Sequence, residues 1–404
     1  MSEHIYENPD LIFETNYEKT IFESPDVIND MHNYVKMKPN ESSAKAKTQL
    51  EQLDNVTLNI AITGESGVGK STFVNALRGI NDEDDGAAET GVTETTMNPI
   101  SYSHPTMPNV YIWDLPGIGT PNFKAKKYLK DIKFDNFDFF IIIGSLRFKE
   151  NDIMLAKEIK KMKKMFYFVR SKIDQDLQAE ARKKGFDEEH VLSRIRLSCK
   201  ENLLPIGNPK VFLISTFQLG KYDFQRLIDS LEENLSDHKW SALIQSLPVC
   251  SLGMIEKKTQ ELYRTAAAAA TAAATTAGVP LPGFSVGCEI GIMQKYLQTA
   301  HMSFGLDDKS IERLAQRVNK PRDELKSVMK SRFAAGVNKT VVANMFRTTS
   351  MVAAKAVEVF LTGIPGFGNL PAMGIAFGTT LTLLRNSVKE MAEDAKAVIT
   401  AAGL

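Results

Sequence analysis

The chain has 404 residues, enough for two or three domains with a sizeable core, and its 49 basic and 49 acidic residues cancel, so charge gives no argument for nucleic acid as a partner. Three cysteines, Cys199, Cys250 and Cys288, lack metal-ligand spacing and suit a reducing compartment. The opening MSEHIYENPD is unlike a secretory signal, Ser2 removes the myristoylation pattern and the final ITAAGL carries no prenylation signal, so a cytoplasmic location is expected.

In chain order, 1–54 reads as a helical lead-in. Stretches 17–22 and 27–37 have apolar residues at helical spacing, and 43–53 forms an amphipathic pattern. Residues 57–63 then read as a buried strand and 70–77 as a helix, with GESGVGKS between them. Gly64, four residues, Gly69, Lys70 and Ser71 satisfy the phosphate-loop pattern. Gly64, Gly67 and Gly69 let the backbone turn so that successive N–H groups point at phosphate oxygens, and the helix offers its positive end. Lys70 is expected to reach the β and γ phosphates, and Ser71 to offer its hydroxyl to magnesium. A chance lysine in a glycine-containing turn is the plain alternative, and the strand and helix on its flanks argue against it.

An acidic, threonine-rich loop follows, GINDEDDGAAETGVTETTMNPI, of the kind that senses a γ phosphate through a threonine on magnesium. Thr90, Thr93, Thr95 and Thr96 all qualify and the spacing does not choose, with Thr96 the working metal ligand. The strand 109–115 ends in Asp114-Leu115-Pro116-Gly117, where the aspartate can hold magnesium and the Gly117 N–H can touch the γ phosphate. Position 118 is Ile118, where many small GTPases place the glutamine that orients water, so intrinsic hydrolysis is expected to be slow.

Strands are expected at 137–144 and 165–169, both apolar enough for the centre of a parallel sheet, with a lysine-rich solvated helix over 151–164 between them. The second strand runs into Ser171-Lys172-Ile173-Asp174, close to the guanine-reading pattern [NT]-K-x-D but with serine first. The Asp174 carboxylate would accept two hydrogen bonds that guanine offers and adenine does not, while the Lys172 stem covers the base. A last strand is expected over 210–215, and Ser215-Thr216 would border the base.

The runs GESGVGKS, RGINDEDDGAAETGV, DLPGIGTPNF, FDFFIIIGSLRFKENDI and FYFVRSKID resemble the immunity-related GTPases, the interferon-inducible GTPases of cell-autonomous defence. The resemblance covers about 51–262 and fades outside it. It implies a Ras-like nucleotide domain and N- and C-terminal helices that pack as one helical domain. It also implies slow GTP hydrolysis that accelerates when nucleotide domains pair, oligomerisation, and action at pathogen-vacuole membranes. By position, Gly67, Val68, Gly69, Lys70, Ser71 and Thr72 would hold phosphates, Thr90 and Gly91 would border the nucleotide, and Lys172, Asp174, Ser215 and Thr216 would frame the base. Glu94 and Lys70 are the catalytic candidates, and Ser71, Thr96 and Asp114 the metal ligands. Lys70 sets the chain apart from the branch of the family that has methionine there.

The last third changes character. Residues 265–288 and 359–384 are uncharged, each laid out as an apolar helix, a Pro-Gly-Phe turn (282–284 and 365–367) and a second apolar stretch. Each half is too short to span a bilayer, and alanine and threonine insert poorly. Buried helical hairpins are expected, with membrane docking on GTP binding as the functional alternative. Between them, 307–329 reads as two short amphipathic helices broken at Pro321. The six histidines are scattered and form no catalytic constellation.

The expected architecture is thus α/β, a Ras-like phosphate-loop domain with a mainly parallel sheet over 55–238, plus an all-α domain built from 1–54 and 239–404. GTP or GDP with magnesium is the expected ligand. The expected partners are the chain itself, related GTPases and intracellular membranes, contacted peripherally. The competing reading is a non-catalytic GTP-dependent switch that recruits partners or restrains related GTPases.

Overall fold

A computed structural model describes residues 55–91, 96, 98–119, 124–207, 209–277, 284–345 and 372–404. They fall into two compact units. One comprises Asn55–Met254 with Asp308–Leu325 and Ile399–Leu404, and the other includes Ile255–Asp307 and Lys326–Val398. The N-terminal helices expected over 1–54, the Pro-Gly-Phe turn at 365–367 and Glu94 lie outside the described residues, as do Pro282 and Gly283 of the first turn.

The first unit is built on a six-stranded sheet in the order β2-β3-β1-β4-β5-β6. The strands are β1 (Leu58–Gly64), β2 (Ile100–Ser103), β3 (Val110–Asp114), β4 (Phe139–Gly144), β5 (Met165–Arg170) and β6 (Val211–Leu213). All pairings are parallel except that of β2 with β3. The apolar run expected at 137–144 becomes β4, every residue of which is buried. Side chains alternate across a strand, so Phe139, Ile141 and Ile143 enter one core while Phe140 and Ile142 enter the core on the other face. Burying such a side chain contributes about 1.5–3 kcal/mol, and a strand apolar on both faces needs helices on both.

Those helices are α1 (Lys70–Leu77), α2 (Ala125–Asp131), α3 (Glu150–Lys161), α4 (Ile173–Glu180), α5 (Glu188–Leu203), α6 (Phe224–Glu232) and α7 (Asp237–Ser246). The lysine-rich α3 keeps its lysines outward and buries Asp152, Leu155, Ala156 and Ile159. Its first turn carries Glu150 and Asp152 and its last Lys160 and Lys161, in line with the helix dipole. Asp152 caps it by accepting a 2.8 Å hydrogen bond from the Lys149 N–H. Beyond 238, Trp240, Ala242, Leu243 and Ile244 of α7 fill the same core as β1 and β3.

The second unit is helical, with α8 (Leu252–Ala277), α9 (Phe284–Ser303) and α12 (Ala372–Ala402) as its long elements. Ala266, Ala269, Ala270 and Ala273 of α8 are all buried, spacing that lets neighbouring backbones approach closely. Two of the unit's buried charged groups are paired, while the buried Thr382 Oγ1 has no hydrogen-bond partner. The Lys258 ammonium donates to Ser303 Oγ at 3.2 Å, and Asp394 accepts from the Lys330 and Ser331 N–H groups at 2.8 and 3.2 Å. Among the described residues no helix is long and apolar enough to cross a membrane. The connector read at 307–329 forms α10 (Asp308–Val318) and α11 (Arg322–Ser327), interrupted at Pro321 as expected.

Candidate nucleotide-binding site

The carboxyl ends of β1, β5 and β6 lead into an open cleft of about 220 Å3. It is lined by the phosphate loop from Ser66 to Thr72, by Thr90, Gly91 and Thr96, and by Lys172, Asp174, Gln175, Thr216 and Phe217. Most of the residues singled out from sequence therefore share one cavity. Gly64, Asp114, Gly117 and Ser215 do not line it.

Gly64 serves a packing need at the strand end. At φ +144° a Cβ there would lie 2.1 Å from the Ile143 carbonyl oxygen, so β4 passes where a side chain would be. Gly69 (φ +94°) is the left-handed residue that turns the loop into α1, and its carbonyl accepts the Phe73 N–H at 2.9 Å. Lys70, only 8% exposed, points back across the loop to the Glu65 carbonyl at 3.0 Å. A cation thus lies across a glycine-rich loop at a helix N-terminus, an arrangement suited to an anion.

Next to it three oxygen-bearing side chains converge. Ser71 Oγ donates to Asp114 Oδ2 at 2.5 Å and Thr96 Oγ1 donates to the same oxygen at 3.1 Å. The other carboxylate oxygen, Asp114 Oδ1, is buried without a hydrogen-bond partner. Burial pushes the Asp114 carboxyl above its ordinary range, against the Ser71 hydrogen bond, the Lys70 charge and the Thr96 hydrogen bond. A buried carboxylate with an orphaned oxygen beside two hydroxyls is an all-oxygen donor set, the chemistry of a magnesium site. Thr90 lies in the cleft, Thr96 on Asp114, and Thr93 and Thr95 fall outside the described residues.

The acidic loop read as a switch begins as a braced segment. Asn75 of α1 donates to Asp82 Oδ1 and the Ala88 carbonyl at 2.8 and 2.9 Å and accepts the Ala88 N–H at 2.7 Å. Arg78 donates to the Gly86 carbonyl at 2.9 Å, and Arg313 of α10 pairs with Asp84 at 2.9 Å. These bonds deliver Thr90 and Gly91 to the cleft.

On the base side, serine in place of asparagine or threonine keeps the loop in place. Buried Ser171 donates through Oγ to the Val68 carbonyl at 2.7 Å and through its N–H to the Gly144 carbonyl at 2.8 Å, tying the base loop to the phosphate loop. Lys172, at φ +60°, lays its stem over Gly69 and donates to the Gly67 carbonyl at 2.8 Å. Asp174 opens α4 with its carboxylate at the cleft. Behind them buried Arg170 donates to the Leu146 carbonyl at 2.8 Å and pairs with Asp176 at 2.5 Å.

Ile118 is fully buried in the core with Leu115 and Leu129, so its side chain takes no part in the cleft. The Pro116 carbonyl beside it is held by Tyr128 Oη at 3.1 Å, and the Ile118 carbonyl by Asn151 at 2.6 Å. Sequence reasoning missed Ser66, Gln175 and Phe217, each adjacent to a residue it did find.

The profile described as Interferon-inducible GTPase (IIGP) matches residues 24–401. Interferon-inducible GTPase 5 of Rattus norvegicus is 40% identical over 89% of this chain and 78% of its own length. Interferon-gamma-inducible GTPase 10 of Mus musculus is 38% identical over 87% and 82%, and Interferon-inducible GTPase 1 of Mus musculus 42% identical over 70% and 69%. A cleft lined by a phosphate-loop sequence thus coincides with similarity running almost end to end, and the chain belongs to the interferon-inducible GTPase family as a GTP-binding, immunity-related GTPase.

Proposed function

We propose that this GTPase turns over slowly alone, accelerates when two nucleotide domains pair across their clefts, and assembles at intracellular membranes such as those of pathogen vacuoles. The observation that carries this reading is Ile118, buried in the core at the position where a water-orienting side chain is expected. Isoleucine cannot hydrogen-bond water, so the missing group must come from elsewhere in the chain or from a partner copy.

The residues singled out at the site divide the work in this reading. Lys70 holds the β and γ phosphates, with the loop N–H groups from Gly67 to Thr72 around them. Ser71, Thr96 and Asp114 would hold magnesium, which would neutralise negative charge on the nucleotide's phosphates. Gly117 offers its N–H to the γ phosphate. Asp174 accepts from the guanine edge, the Lys172 stem covers one face of the base, and Thr216 borders it. Glu94 completes the active site in the paired state.

The protein is cytoplasmic in this reading and meets membranes peripherally. Its partners are itself and related GTPases, without nucleic acid. Buried Ile118 also fits a switch that recruits partners without turnover, whereas Lys70 and the Ser71–Thr96–Asp114 set favour hydrolysis.

Glu94→Ala separates the two. It should bind GTP as tightly as wild type yet lose the acceleration seen at high protein concentration in a phosphate-release assay. Unchanged acceleration would move the catalytic group to another residue.

A further inference from the structure

We propose that Phe217 is the stacking platform for the guanine base, working with the Lys172 stem while Asp174 reads the edge. The proposal rests on the guanine-nucleotide reading of the cleft. Phe217 lines that cleft beside Thr216, is 64% exposed and joins neither core of the sheet.

The loop that carries it is closed at its base. As the chain leaves β6, the Ile214 N–H donates to the Arg170 carbonyl at 2.9 Å. Where it returns, the Asp223 N–H donates to the Leu213 carbonyl at 3.0 Å, and Asp223 Oδ2 accepts the Leu213 N–H at 2.9 Å. Arg196 grips the same carboxylate at 2.6 and 3.2 Å and Arg226 adds a bond at 3.0 Å. Within the loop the Gln218 N–H donates to the Ser215 carbonyl at 3.3 Å and the Lys221 N–H to the Gln218 carbonyl at 3.0 Å, while Leu219 is buried in the core.

A loop pinned at both ends and plugged by Leu219 holds its aromatic residue at the cleft at little further entropic cost. Every base presents a π face, so an aromatic ring adds affinity with little regard to which base is bound. Selection of guanine stays with the carboxylate of Asp174, which meets the base edge. The two tasks are therefore carried by different residues and are separable by mutation.

Calorimetric titration of the full chain with GDP and with a non-hydrolysable GTP analogue tests the proposal. Phe217→Ala should weaken both by the same factor, roughly 5- to 100-fold. Phe217→Leu should share most of that loss, whereas Phe217→Trp should keep wild-type affinity and lose indole fluorescence on adding GDP, after subtraction of the Trp113 and Trp240 signal. Unchanged affinity in Phe217→Ala, or no quenching in Phe217→Trp, would overturn the stacking role while leaving the cleft assignment standing. Wild-type protein that fails to bind GDP would overturn both.

Discussion

Replacing Lys70 by alanine is expected to abolish tight nucleotide binding. The ammonium is nearly buried, sits inside the phosphate loop and is held across it by the Glu65 carbonyl. It is positioned before ligand arrives, so little ordering cost remains when phosphate binds. Losing one partner of a buried charge-assisted contact costs about 2–5 kcal/mol, or roughly 30- to 5000-fold in Kd. The effect should fall more heavily on GTP than on GDP, because the γ phosphate brings an additional charge to the same cation. Equilibrium binding of both nucleotides, beside a thermal melt confirming the fold, reads this out. Full affinity in the variant would remove the site assignment.

Asp174→Asn should change which base is accepted. The carboxylate accepts from the ring and exocyclic nitrogens of guanine, and asparagine offers one acceptor and one donor of the same shape. A site built to hydrogen-bond a substrate group rejects the analogue that leaves its own groups unpaired by as much as about 10⁴-fold. GTP affinity should therefore fall by that order, while XTP, with a carbonyl where guanine has its exocyclic amine, should gain. Asp174 stands in the first turn of α4, and asparagine has the same shape as aspartate. Competition between GTP and XTP for each protein measures the switch, and unchanged preference for GTP would place base recognition elsewhere.

Much of this site was legible because its chemistry is local. A phosphate loop needs glycine, lysine and serine at fixed spacing, and the strand before it and helix after it announce themselves by burial pattern, so 64–72 could be read directly. The central strands were legible for the same reason, since β4 is apolar on both faces. Strand β2 carried no such signal. Three of its four residues are exposed and it is held by its ladder with β3, so no alternation marks it.

Contacts between residues distant in sequence were also out of reach. Asn75, Arg78 and Arg313 brace the acidic segment after α1, and nothing in the composition of that segment distinguishes a braced loop from a solvated one. Ser171 looked like a departure from the guanine motif, and only its bond to the Val68 carbonyl shows how a shorter side chain can join the two loops. Phe217 escaped notice because a single aromatic in a loop has no period, and its meaning comes from the closure at Asp223.

The central claim is that the active site is completed by a second copy of the chain. Its most direct test is GTP turnover per molecule across a wide range of protein concentration, with ATP as the control. Turnover should rise with concentration towards a plateau, with little hydrolysis of ATP. A flat, slow rate despite tight GTP binding would contradict it and leave the protein a GTP-dependent switch.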